Sequence, residues 1–362
     1  MRHDSVGKHA RGLPVACAIL AGGVLCSPVS AIADEGGVSF WLPGLFGSLA
    51  AVPQQQPGWS LATIYYHTSV SAGSDVSLAR EFTIGRIPAN LGVTLNASVH
   101  STADLALFAP NYVFATPVLG GQASLGMMAV AGGANTNLTG SLSGLLATPI
   151  GGVPFMRSDT IGDSVTGFGD LYPMASLKWN QGVHNFMTYM TGDIPVGLYD
   201  STSLANLGIG HGAIDGGGGY TYFNPQTGHE FSAVGGFTYN FVNPATNYQN
   251  GVDFHLDMAA AQFLSKQVFV GAVGYIYNQL SADRGSAPIL GPFESRVAGI
   301  GPQFGYIFPL GDMQGYLNLK GYFEFDNHDR PAGWNTWVTF SVSPAAPPAP
   351  TPPTPRGPMI YK

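Results

Sequence analysis

Asp253, His255 and Asp257 stand two residues apart. Carboxylate oxygens and imidazole nitrogens are the donors that a divalent cation takes. The same groups could equally form a hydrated, hydrogen-bonded wall, because a spacing of two only makes them neighbours on one face of a strand. Lys320, Tyr322 and Glu324 repeat that spacing further along. Lys320 and Glu324 would pair with the acids across a narrow interior, lowering the cost of placing charge there. These six are read as pore-lining residues, with no catalytic group and no bound metal or cofactor expected. Two other stretches carry less. Gly162-Asp163-Ser164-Val165 looks faintly like a lipase nucleophile, but no Asp and His pair follows it in a set spacing. Gly216–Gly219 lacks the Lys-Ser/Thr of a phosphate loop, and glycines in a sheet more often permit close strand approach.

The elements carrying these residues alternate with period two. Val252, Phe254, Leu256 and Met258 interleave with the acids and His255, and Leu317, Leu319, Phe323 and Phe325 interleave with Lys320, Tyr322 and Glu324. Val93, Leu95, Ala97 and Val99 alternate with Thr94, Asn96, Ser98 and His100. Such alternation predicts strands with one polar face. Candidate strands lie near 59–70, 89–101, 104–117, 121–132, 166–179, 183–193, 213–224, 229–242, 250–264, 267–281, 294–308, 314–326 and 333–343. That is an odd number, and single-chain bacterial barrels use an even one. Twelve wall strands are expected, with fourteen as the alternative.

Composition selects between a soluble sandwich and a membrane barrel. Charged residues make up 10% of 362 residues, hydrophobics 45%, and glycine 50 positions. A soluble domain usually carries about 25% charge. With 14 Lys+Arg against 21 Asp+Glu there is no basic excess for nucleic acid. Arg2, Lys8 and Arg11 precede an apolar run from Leu13 to Leu25, then Ala31-Ile32-Ala33. This pattern predicts a signal peptide over 1–33, cut after Ala33. Both cysteines, Cys17 and Cys26, fall inside it, so no disulfide framework follows. An exported apolar chain without long apolar helices points to a closed transmembrane barrel with polar residues inside and apolar residues facing lipid. Connections alternate in length: 180–182, 225–228, 265–266 and 309–313 are short, whereas 133–165, 194–212, 243–249, 282–293 and 327–332 are longer. The short side is expected to be periplasmic. Trp59, Trp179, Trp334 and Trp337 near strand ends suit an aromatic girdle.

Five stretches stand out: Leu42-Pro43-Gly44 with Gly47-Ser48-Leu49-Ala50, Gly167-Phe168-Gly169-Asp170, Phe241-Val242-Asn243-Pro244-Ala245-Thr246-Asn247-Tyr248-Gln249-Asn250-Gly251, Phe254-His255-Leu256-Asp257 and Val297-Ala298-Gly299-Ile300-Gly301-Pro302-Gln303. In them the chain resembles the outer-membrane transporter family named after the meta-pathway of phenol degradation. The resemblance spans most of 40–343. It implies an outer-membrane barrel admitting hydrophobic, often aromatic, compounds, and carries over no catalytic residue.

The expected organisation is a signal peptide at 1–33, an N-terminal segment at 34–58, the barrel at 59–343, and a Pro-rich tail at 344–362. The N-terminal segment has no place in the wall. Its apolar cluster Phe40, Trp41, Leu42, Leu45 and Phe46 suggests a lumen plug lining an apolar path, against the alternative of packing on the periplasmic rim. The expected function is passive uptake of small hydrophobic or aromatic compounds, with outer-membrane lipid and such a substrate as partners. A general polar porin, a lipid-modifying barrel enzyme and an adhesive surface barrel are the alternatives.

Overall fold

The computed structural model describes residues 39–73, 94–148, 151–285 and 294–346. The expected signal peptide, residues 34–38, the start of the expected strand at 89–101 and most of the Pro-rich tail lie outside these residues.

Twelve long strands form the wall: β1 (Gly58–Ala72), β2 (Thr94–Val113), β3 (Gln122–Thr148), β4 (Gly151–Gln181), β5 (His184–Asp193), β6 (Ala213–Asn224), β7 (His229–Asn240), β9 (Asp253–Phe263), β10 (Val268–Gln279), β12 (Arg296–Leu310), β13 (Met313–His328) and β14 (Ala332–Pro344). Each pairs antiparallel with its neighbour along the chain, and β1 pairs β14, so the sheet closes without an edge. Two-residue strands β8 (Tyr248–Gln249) and β11 (Arg284–Gly285) form a small ribbon outside the wall. Among the described residues no helix is long and apolar enough to cross a membrane. Crossing by strands satisfies the same backbone constraint.

The odd thirteenth candidate has a simple origin. The expected strands at 89–101 and 104–117 are one continuous strand, β2, paired with β3 through its middle. The expected loop at 133–165 is also corrected: β3 and β4 run through it as a long hairpin, paired from Gln122–Lys178 to Thr148–Gly151. Both errors arise because polar alternation in a strand beyond the membrane looks like a loop.

In the membrane band the polar residues face in. Asp253, His255, Asp257, Lys320 and Tyr322 are buried, while Leu61, Phe237, Ile276, Ile300, Phe323 and Val338 are exposed on the outer face, as lipid contact requires. Higher on β2 the pattern reverses. Val99, expected to face out, is 2% exposed and packs inside with Ala72 and Leu138, whereas His100 is exposed. Leu204 of the 194–212 loop covers that cluster. Protein lies inside the wall here, so apolar residues turn inward as in a soluble sheet. One girdle assignment is corrected for a related reason. Trp59 and Trp334 are exposed at opposite ends of the wall, but Trp337 is 1% exposed and points inward, under the Lys320 ammonium at 5.0 Å.

Candidate functional site

The barrel interior is occupied by the chain's own segment 39–56. Its backbone runs along inward side chains from seven wall strands, and each contact has a chemical reason. At the base, Lys178 donates to the carbonyls of Ala50 at 2.7 Å and Val52 at 3.4 Å. Ala51 N donates to Thr221 Oγ1 at 3.1 Å, and Gln122 exchanges two hydrogen bonds with the Gln54 backbone. Glu230 accepts from Ser48 Oγ at 2.7 Å and Leu49 N at 2.9 Å, and Gln303 donates to Ser48 Oγ at 2.8 Å. At mid-height Asp257 accepts from Gly44 N at 2.8 Å and Phe46 N at 3.0 Å. Lys320 donates to the carbonyls of Gly44, Leu45 and Phe46 at 2.5, 3.3 and 3.3 Å. Carboxylates hold amides and ammoniums hold carbonyls, which satisfies an irregular segment that has no sheet partner.

Gly44 makes this turn possible. Its φ is +90°, and a Cβ would press on the Tyr322 ring at 2.9 Å. Tyr322 therefore packs against the turn. Above it, Trp41 stacks on His255, with ring centroids 3.6 Å apart and planes 12° from parallel. His255 is 0% exposed, and its Nε2 lies 2.9 Å from Asp215 Oδ2 and 3.2 Å from the Tyr189 hydroxyl. Gly236 leaves room for that pair, since a side chain there would collide with the Tyr189 hydroxyl. Phe46 and Trp41 also contact the Tyr189 ring, and Phe40 contacts Tyr172. Leu42 and Leu45 are half-buried against the core cluster of Tyr66, Tyr275, Tyr322 and Trp337.

The candidate residues divide among these contacts. Asp257, Lys320 and Tyr322 touch segment 44–46, and His255 touches Trp41. Asp253 lies above, accepting from Asn240 Nδ2 at 2.8 Å. Glu324 does not pair with the acids of β9 as expected, and as a carboxylate it would be repelled by them. It accepts from Tyr275 Oη at 2.6 Å and Gly333 N at 2.8 Å, because its own strand brings it to the upper rim. Lys320 likewise meets Asp257 through the backbone between them, not directly. Among the described residues no group of three or more His, Cys, Asp or Glu side chains is placed to hold a metal ion. Sequence reasoning missed Lys178, Glu230, Thr221 and Gln303. A charged residue between apolar neighbours, as at Lys178 between Leu177 and Trp179, was the available signal.

Above Phe40 the interior opens into a cavity of ≈ 210 Å³ at the end of the long connections. Phe40, Leu42, Tyr66, Tyr172, Leu207 and Ile209 give it an apolar lining. Glu324, Arg330 and Asn335 form a polar edge. The 194–212 loop roofs it, held by Asp170, which accepts from Gly197 N at 2.7 Å and Ile209 N at 2.8 Å. That is the role of the Gly167–Asp170 stretch. The Asn243–Gly251 stretch ties loops to one another: Asn243 donates to Tyr199 Oη at 2.8 Å, and the Tyr248 hydroxyl donates to Asp283. Burial pushes the Asp283 carboxyl up, against the pull of hydrogen bonds from Tyr248, Gly251 and Gln279.

A family model described as "Putative MetA-pathway of phenol degradation" matches residues 83–340. Among solved structures, an outer-membrane channel from Pseudomonas putida F1 is similar at 12% identity and TM-score 0.54, over 84% of this chain and 100% of that one. A FadL homologue from Pseudomonas aeruginosa matches at 9% identity and TM-score 0.34, over 86% of this chain and 97% of that one. No curated protein matches the chain in sequence. The likeness to the Pseudomonas putida channel shows the fold.

Proposed function

The chain belongs to this phenol-degradation family, and on that premise we propose that it is an outer-membrane channel for passive uptake of small hydrophobic or aromatic compounds. The observation carrying this reading is the apolar mouth cavity whose floor is the chain's own segment, Phe40 and Leu42. A compound partitions from water into that cavity and meets the segment 39–52, which acts as a lumen plug. Passage requires the plug to move aside along Asp253, His255, Asp257, Lys320, Tyr322 and Glu324, which line the path once it does. Phe40, Trp41, Leu42, Leu45 and Phe46 then offer the apolar side of the plug to the passing ring. On this reading flux follows the concentration gradient.

A filled lumen distinguishes this reading from a general porin, whose interior is an open aqueous channel. The test is flux into liposomes carrying the refolded protein, comparing phenol-sized aromatics with sugars and simple ions, and with empty liposomes as the reference. Acceleration of aromatics alone is expected. Equal passage of sugars and ions would replace this reading with a porin, and no flux above empty liposomes would remove transport altogether.

A further inference from the structure

We propose that the mouth cavity binds small aromatic carboxylates, with Arg330 taking the carboxylate and the aromatic lining taking the ring. The inference deepens the channel reading above and rests on it for physiological sense. Size sets the first limit. At ≈ 210 Å³ the cavity falls below the roughly 300–1,000 Å³ of drug-sized ligand sites, which suits a small, single-ring compound. Phe40, Tyr66 and Tyr172 supply faces and edges against which a ring packs.

The ligand's polar group follows from the two ionic side chains at the cavity edge. The Glu324 oxygens are occupied within the protein, although the carboxylate keeps its charge: Oε1 accepts from Tyr275 Oη at 2.6 Å and from Asn335 Nδ2 at 3.5 Å, and Oε2 accepts from Gly333 N at 2.8 Å. Arg330 is less occupied. Its guanidinium makes one side-chain hydrogen bond among the described residues, from Nη1 to Ser39 Oγ at 3.3 Å, and forms no ion pair there. The guanidinium carbon sits 4.6 Å over the Tyr277 ring, which fixes its plane. A guanidinium carries five donors in a rigid fork that matches a carboxylate. The unspent group at the edge is therefore a cation with bidentate geometry, and the complementary ligand is an anion on a single ring. The chain carries a net charge of −7, so the overall field does not draw anions in. Recognition is local to Arg330.

The experiment is calorimetric titration of the detergent-solubilised protein at neutral pH with benzoate and with benzamide, its uncharged near-isostere. Benzoate is expected to bind more tightly than benzamide. Arg330→Gln is expected to weaken benzoate by about 10- to 100-fold, the loss for a hydrogen bond to a charged group, and to leave benzamide unchanged. Arg330→Lys keeps the charge and loses the fork, and is expected to fall between the two; it serves alone if Arg330→Gln does not fold. Equal binding of the two ligands by the native protein, or undiminished benzoate binding by either variant, overturns the proposal. Liposome flux of benzoate separates it from the channel reading. Binding without flux sinks the channel and keeps the site, and flux without binding does the reverse.

Discussion

The lower and upper halves of the barrel interior are built from the same strands and have opposite characters. Below Trp41 the lumen is full. Lys178, Glu230, Asp257 and Lys320 grip a peptide segment through its amides and carbonyls. Above Phe40 it is open, apolar, and roofed by a loop hung on Asp170. The difference teaches how one closed sheet separates holding from admitting. Charged side chains inside a barrel need partners, and an irregular backbone supplies them at every residue. Where no backbone passes, a cavity remains, with aromatic and aliphatic residues over much of its lining and Glu324, Arg330 and Asn335 at its edge. The segment joins the two halves, because Phe40 and Leu42 are the cavity's floor and Gly44 to Val52 are what the clamp holds.

If that division is correct, the halves should fail separately. Removing residues 39–52 gives the largest effect. The twelve-stranded wall stays closed, and its lumen becomes an aqueous pore of intermediate width, read as a large rise in ion conductance across a planar bilayer. Lys320→Met comes next. Losing its charge-assisted contacts to three carbonyls should cost the segment about 1.5–3 kcal/mol of local stability, seen as roughly 10- to 100-fold faster hydrogen exchange at the Gly44 and Phe46 amides. Binding of an aromatic at the mouth should change little in that variant. Leu42→Trp reverses the readout by filling the cavity. It should weaken binding of a single-ring compound by about tenfold, of the order expected from overpacking, while exchange at Gly44 and Phe46 stays as it was. Asp170→Asn is the mildest. One of the two amides it accepts loses its partner, at about 1 kcal/mol, and exchange should quicken at Gly197 and Ile209 without reaching the clamp. Loss of both functions from any one of the last three would mean that the halves act as a unit.

Much of the wall was legible because period two is a local signal. Asp257 and Lys320 betray an inward face by their neighbours Leu256, Met258, Leu319 and Gly321 alone, and the candidate strands from 183 onward match wall strands. Three things were illegible for physical reasons. Alternation states that a strand has two faces, not what lies against each. Val99 was thus misplaced, because it faces a loop 105 positions away in sequence (Leu204), and Trp337, on the polar face of its strand, was misread as girdle because the buried lysine it faces is not visible in its own strand. The partners of the segment were also hidden. Its apolar cluster suggested a plug or a rim contact equally well, and the choice depends on Glu230, Lys178 and Thr221, which only barrel closure brings to it. The mouth cavity had no sequence signal, since the loop lining it through Leu207 and Ile209 has no periodicity.

The central claim is that residues 39–52 close the lumen and must move for a compound to pass. The direct measurement uses Ala51→Cys with Thr221→Cys, placed where Ala51 N and Thr221 Oγ1 lie 3.1 Å apart. Cys17 and Cys26 are the two native cysteines, so a chain prepared to start at Asp34 has no other cysteine to interfere. Flux of a phenol-sized aromatic into liposomes is compared with the pair oxidised and then reduced. The account predicts flux at the empty-liposome level when oxidised and native flux when reduced. Native flux through the oxidised protein would show that compounds cross without moving the segment, and would contradict it.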